Sequence, residues 1–183
     1  MKHLGTKTIE TKRLILRRFK KSDAEDMFMN WTSDEEVTKY FMWATHKNLD
    51  ASKEYIEFLI KKHEEINNYD WAIELKEINK VIGQIGVGKF NENVESAHIY
   101  YCIGRAWWNK GIVSEAFYAV IKYLIEEVGV NRIEARHDTR NIYSGKVMEK
   151  CGLKFEGILR EAGKNNIGIC DEAWYGLLRK DYF

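Results

Sequence analysis

The sequence predicts a single α+β domain, residues 1–183, built on a mixed, twisted β-sheet flanked by helices. Three observations carry this. Helical patterning fills most of the first third of the chain. Three β-type runs between Trp71 and Ile103, joined by short turns, form an antiparallel meander. After them strand and helix alternate, and strand–helix–strand connections call for a parallel or mixed sheet.

The elements follow in order. "RLILRRF" (residues 13–19) is a first strand, and Ser22 with Glu25 has the spacing of a capping box opening a helix through about Trp31. Asp34 and Glu35 start a short second helix. Residues 50–66 place Tyr55, Phe58, Leu59 and Lys62 on helical spacing. "WAIEL" and "VIGQIGVGKF" flank "KEINK", a hairpin turn, and "ESAHIYYCI" follows the turn cluster "NEN". Phe117, Val120, Ile121, Leu124 and Val128 make one apolar helix face, stopped by Gly129. "RIEARH" is a strand, and residues 141–151 are a helix closed by Gly152. "LKFEGILRE" and "DEAWYGLLRKDYF" supply the last strands.

Composition narrows the function. The chain is 45% hydrophobic and 31% charged, a globular balance. No apolar run approaches the ~20 residues of a membrane span. "MKHLGTKTIETKR" lacks the apolar core of a signal peptide, so a cytoplasmic location is expected. With 29 basic and 28 acidic residues and no long basic run, nothing points to nucleic acid. Three cysteines without a CxxC pair and five scattered histidines argue against a disulfide framework or a metal site.

One stretch points to chemistry. In "AHIYYCIGRAWWNKGIVSEAF" a strand ends near Ile103 and a helix starts near Gly111. The first N–H groups of a helix have no internal partners and carry the positive end of its dipole, so this loop suits a pyrophosphate. Gly111 allows close approach, Lys110 adds a cation and Ser114 a hydroxyl. No GxxxxGK[ST] and no GxGxxG is present. On these residues alone an ordinary turn remains the alternative.

The same stretch resembles the fourth strand and acetyl-CoA loop of the GNAT (GCN5-related N-acetyltransferase) superfamily, in particular the branch that acetylates ribosomal-protein N-termini. "ETKRLILRRFKKSDAEDMF" is similar to that branch's opening strand and helix. "GVNRIEARHDTRNIYSGKVMEKCGLKFEGILRE" and "DEAWYGLLRKDYF" are similar to its second half, so the resemblance covers nearly the whole chain. The family's Gln/Arg-x-x-Gly-x-Gly/Ala loop falls on Trp108, Asn109, Lys110, Gly111, Ile112 and Val113, with only the first glycine kept. The resemblance implies a GNAT fold and acetyl-CoA bound by Asn109, Lys110, Gly111, Ile112, Val113 and Ser114. It implies that backbone groups of Cys102 and Ile103 pair with the pantetheine arm and that Asn141 bonds it; Asn141 is equally a helix N-cap.

Transfer to an amine needs a base, donors for the oxyanion and a proton for the leaving thiolate. Where many members carry glutamate in an Ala-Glu-Ile pattern, this chain has Ala97-His98-Ile99, which makes His98 the candidate base; a half-exposed structural histidine is the alternative. Seven residues after Asn141 stands Met148, where a tyrosine acid is common. Ser144, three after Asn141, matches the ribosomal branch and is the candidate partner of the CoA sulfur, or an ordinary helix serine. Trp31 and Trp43 are acceptor-wall candidates, or core. Cys102 is a poor nucleophile candidate, having no basic partner. The resemblance thus implies an acetyl-CoA-dependent N-acetyltransferase, without metal, acting directly on a primary amine such as a protein N-terminus, with a homodimer as the expected assembly. The alternatives are a small-amine acetyltransferase, for a polyamine or aminoglycoside, and a non-catalytic CoA-binding module.

Overall fold

A computed structural model describes residues 1–182. The chain opens with a two-residue strand β1 (Ile9–Glu10) and β2 (Leu14–Arg17). A helical segment follows: a 3-10 turn (Lys21–Asp23), α1 (Ala24–Met27) and a π-helical turn (Phe28–Thr32). Its start differs from the Ser22–Glu25 box. Asp23 accepts the Lys20 N–H at 2.7 Å and is itself gripped by the Arg17 guanidinium at 2.8 and 2.9 Å. The cap is therefore fixed from strand β2, through an ion pair no local pattern announces.

Next come α2 (Glu35–Thr38), capped by Asp34, and α3 (Leu49–Lys62), capped by Asn48. Then β3 (Asp70–Leu75), β4 (Lys80–Asn91) and β5 (Ser96–Ile103) form the meander. After a 3-10 turn (Arg105–Trp107), α4 (Ile112–Tyr123) continues through a π-helical turn (Leu124–Val128) to Gly129. There follow β6 (Arg132–Asp138), α5 (Ile142–Lys150), β7 (Lys154–Asn165), β8 (Gly168–Leu178) and a last turn α6 (Arg179–Tyr182). The final strand thus stops at Leu178, short of the "RKDYF" included in the sequence prediction; Phe183 lies outside the described residues.

The strands make one eight-stranded sheet in the order β1-β2-β3-β4-β5-β6-β8-β7. Among the described residues only β5 and β6 pair in parallel, as the α4 crossover requires. One face of the sheet packs under α4 and α5, where Ile99, Phe117, Val120, Ile133 and Met148 are buried. The other packs under α1–α3, where Phe19, Trp31, Ile56 and Leu59 close over Ala72, Val81 and Cys102. The sheet is therefore covered on both faces by separate apolar cores, and the feature that matters for function is a break between them.

Candidate active site

That break lies between β5 and β6. Their parallel pairing has three residue pairs, Ser96–Arg132, Ala97–Ile133 and His98–Glu134. β5 runs on to Ile103 and β6 to Asp138 without further pairing, so the strands diverge and open a slit in mid-sheet. The slit lies in a cleft of about 1120 Å³ that reaches both faces.

On the α4–α5 face the cleft begins at the loop before α4. Asn109 and Gly111 hold left-handed backbone, with φ 59° and 69°. The first intrahelical bond closes at Glu115, whose N–H donates to Gly111 O at 3.1 Å. The preceding amides are the orphan donors of a helix start, in an anion-favouring position. The loop is braced by Arg13, which donates to Lys110 O at 2.9 Å and to the Glu115 carboxylate at 2.7 Å. Burial works against the charge on Glu115, but hydrogen bonds from Thr11 and Arg13 outweigh it and hold the acid below its ordinary range. Val113, larger than the family's small residue, packs into the core and is 9% exposed, and it also lines the cleft. Lys110 is exposed and its side chain stands outside the cleft lining, so it contributes its carbonyl as an anchor for Arg13. The Trp108 indole donates to Ile103 O at 3.0 Å and so ties the loop to the end of β5.

Asn141 stands at the N-terminus of α5, lines the cleft and makes no side-chain capping bond, so its amide is uncommitted to the helix. Ser144 lies one turn further. Its Oγ is 2.9 Å from the Tyr101 hydroxyl, which also lies 3.0 Å from Ser144 O. Burial raises the Tyr101 phenol, so it stays protonated. Cys102 is buried and its thiol is likewise raised by burial, which leaves no thiolate for covalent catalysis.

His98 lies on the opposite, α1–α3 face. Its neighbours in register are Lys89 on β4 and Glu134 on β6. Its ring lies 5.5 Å from that of Trp174, whose ring also takes the Arg136 guanidinium at 5.2 Å; Arg136 in turn pairs with Glu172 at 3.2 Å. Burial first, then Arg136 and Lys89, push His98 down to about 4, against the pull of Glu134. The ring is neutral near pH 7. Trp43 lines this side, stacked on Phe41 with centroids 5.1 Å apart. Trp31 does not: it is fully buried in the core under α1–α3, because the amphipathic helix turns that aromatic onto the sheet.

Sequence reasoning missed three contributors. Tyr101 pairs with Ser144 across 43 residues of chain. Trp174 brings a ring to His98 from β8. Asn166, at the β7–β8 tip, holds the loop after α2 by three bonds: its N–H to Phe41 O at 3.1 Å, and its amide to Thr38 O and Trp43 O, both at 2.9 Å. Only strand alternation at Trp174 left a trace in the sequence. Among the described residues no three His, Cys, Asp or Glu side chains gather to hold a metal, and no helix is long and apolar enough to cross a membrane.

A braced, amide-rich loop on one side of a split sheet and an imidazole on the other give the geometry that a two-substrate transfer would need. Comparison with known proteins is consistent with that. Residues 13–154 match the acetyltransferase (GNAT) domain family, and the chain belongs to it. It is 31% identical over 175 residues, 96% of this chain and 98% of the other, to the uncharacterized N-acetyltransferase p20 of Bacillus licheniformis. It is 31% identical over 81 residues, 42% of each chain, to the [ribosomal protein uS5]-alanine N-acetyltransferase of Escherichia coli. Among solved structures it resembles in fold RimL, a ribosomal L7/L12 alpha-N-protein acetyltransferase in complex with coenzyme A: the TM-score is 0.83, identity 16%, coverage 94% of this chain and 98% of that one. The protein is an N-acetyltransferase.

Proposed function

We propose that the chain transfers acetyl from acetyl-CoA directly to the α-amine of a protein N-terminus. The observation that supports it is the slit, with the anion-favouring loop and Ser144 on one face and His98 on the other. In this reading the amides of residues 111–114 hold the pyrophosphate, Asn141 and the slit-side edge of β5 around Cys102 and Ile103, whose Ile103 O already accepts from the Trp108 indole, hold the pantetheine, and the thioester lies in the slit beside Ser144. The amine reaches it from the His98 face, past Trp43.

The cheaper deprotonation favours an α-amine. A ring pushed down to about 4 is a weak proton acceptor. Taking a proton from an α-ammonium, at about 7.7–8.0, is uphill by about 4 units, or about 5 kcal/mol. From a lysine-type ammonium, at about 10.4, it is uphill by about 6 units, or about 9 kcal/mol. Of the acceptors in the second reading, a polyamine carries amines of the costlier kind. The test is thiol release from acetyl-CoA with N-terminal peptides, polyamines and aminoglycosides at matched concentration. Peptides should have the highest kcat/KM, with acetyl on the α-nitrogen by mass spectrometry. Faster turnover of polyamines would overturn the choice of acceptor, and no acetyl transfer to any amine would overturn the whole reading.

A further inference from the structure

We propose that Arg136 and Lys89 determine acceptor specificity by reading a carboxylate close to the acceptor amine, which on a protein N-terminus is an aspartate or glutamate at the second position. This deepens the reading above and rests on it, with the amine entering at His98. Arg136 follows Glu134 by two residues on β6 and shares its face of the sheet, and Glu134 stands directly across from His98. Arg136 lines the cleft, and its side chain is 36% exposed, open to a ligand.

The guanidinium is held from two sides. Its Cζ stands 5.2 Å over the Trp174 ring, and its Nη1 lies 3.2 Å from the Glu172 carboxylate, itself buried. Nε and Nη2 make no hydrogen bond among the described residues. Arginine carries five N–H donors in a planar fork, and one contact does not satisfy them. Pinned in this way, Arg136 has already lost much of its side-chain freedom and keeps its remaining donors for the cleft, in the geometry that suits a second carboxylate.

Lys89 stands on the other side of His98, directly across from it on β4. It is exposed, lines the cleft and makes no hydrogen bond or ion pair among the described residues. The carboxylates nearby are already committed, Glu134 and Glu156 to Arg132 and Glu172 to Arg136. Positive groups therefore prevail at the His98 ring: beyond burial, Arg136 outweighs Glu134, and Lys89 adds to it. That field opposes a bare ammonium and favours an acceptor that brings its own negative charge. Spacing sets where the charge belongs. Two residues along β6 advance by about 7 Å, close to the reach from an N-terminal nitrogen to the side-chain carboxylate of the next residue. A lysine at that position would meet Arg136 and Lys89 as a like charge. The α-carboxylate of a free amino acid offers the same chemistry from a different source.

The test is thiol release from acetyl-CoA with amidated peptides of one sequence carrying Asp, Glu, Ala or Lys at position 2, beside free alanine and alaninamide. The acidic peptides should exceed the alanine peptide at least about tenfold in kcat/KM, and the lysine peptide should be the poorest. Arg136→Gln, checked by thermal melting because it leaves Glu172 without its partner, should shrink the acidic-to-neutral ratio at least about fivefold. Lys89→Gln, at an exposed site, should shrink it in the same direction. Only ratios between acceptors are read, because removing Arg136 also alters His98 and moves every rate in common. Calorimetric binding of the same peptides to the CoA complex reads the preference without turnover. Acidic peptides no better than the alanine peptide in the wild type, or a ratio unchanged in both variants, overturns the proposal. Turnover of every peptide regardless of position 2 would sink the carboxylate reader and leave the protein N-terminus standing. Turnover of free alanine but of no peptide and no alaninamide would support the reader and sink the protein N-terminus.

Discussion

Replacing Gly111 by alanine isolates backbone geometry from steric bulk. The residue sits at φ 69°, ψ 12°, in the left-handed region. A Cβ there would meet only Lys150 Nζ at 3.7 Å and Arg13 Nη2 at 3.8 Å, ordinary contacts. Gly111→Ala therefore adds strain and no clash, at a cost of about 1–2 kcal/mol. The cost can surface in two ways. If the loop keeps its shape, stability drops and Tm falls by about 2–8 °C for a domain of this size. If the loop relaxes, the amides of residues 111–114 turn away and CoA must restore them, weakening Kd by about 5–30-fold. Calorimetric titration with CoA, beside a thermal melt of the free protein, reads both, and the two losses should sum to about 1–2 kcal/mol. Gly111→Asn is the control and should lose less, because asparagine tolerates this region and Asn109 already occupies it at φ 59°. If Gly111→Ala changes neither Tm nor Kd, the left-handed turn does not hold the amides and the loop assignment is wrong.

Three further outcomes are expected. Because burial holds His98 near 4, its neutral form is constant above about pH 5, so kcat between about pH 6 and about pH 9 should follow the acceptor's ionisation alone. His98→Ala should lower kcat at least about tenfold without changing that shape, and an unchanged kcat would remove it as the base. Asn166→Ala deletes two bonds that hold the wall after α2, a loss of about 1–3 kcal/mol there, and should raise KM for the acceptor about fivefold or more while KM for acetyl-CoA stays within about twofold. Equal increases for both substrates would show that the clamp serves the whole fold.

The legible parts of this chain are those whose cause is local. The face Phe117–Val120–Ile121–Leu124 is a period, and α4 follows it. Gly111, Gly129 and Gly152 were read as a turn and two stops, and all three have positive φ. The loop before α4 was legible for the same reason: orphan amides belong to any helix start. The misses have distant causes. Asp23 replaced the Ser22–Glu25 box because Arg17 reaches it from β2. β7 outran its prediction, to Asn165, because bulges between Phe155 and Gly157 and between Leu159 and Gly163 break the alternation that would have marked it. Trp31 was undecidable from spacing, since a helical tryptophan can face a core or a cleft. Asn166 could not be found at all, because its partners lie up to 128 residues away.

The slit itself follows from topology. A crossover through α4 lays β6 beside β5 in parallel, and three residue pairs at the start of both strands fix the register. Beyond them β6 is held along its whole length by β8, through seven pairs from Arg132–Leu178 to Asp138–Glu172, while β5 is held by β4 up to Gly83–Ile103. Each strand is thus committed to its outer neighbour, and sheet twist carries the two pairs apart. The result is an open strand edge in the middle of a sheet, where backbone groups would otherwise lose free energy unpaired. A ligand that enters as an extended, amide-bearing arm can satisfy that edge as a strand would, whereas a purely apolar chain cannot. The same separation joins the two faces, so an acyl group carried in from the α4–α5 side stands within reach of a nucleophile on the other. On this view one topological choice, a parallel pair flanked by antiparallel partners, supplies both the donor's binding edge and the passage through which the acceptor reaches it.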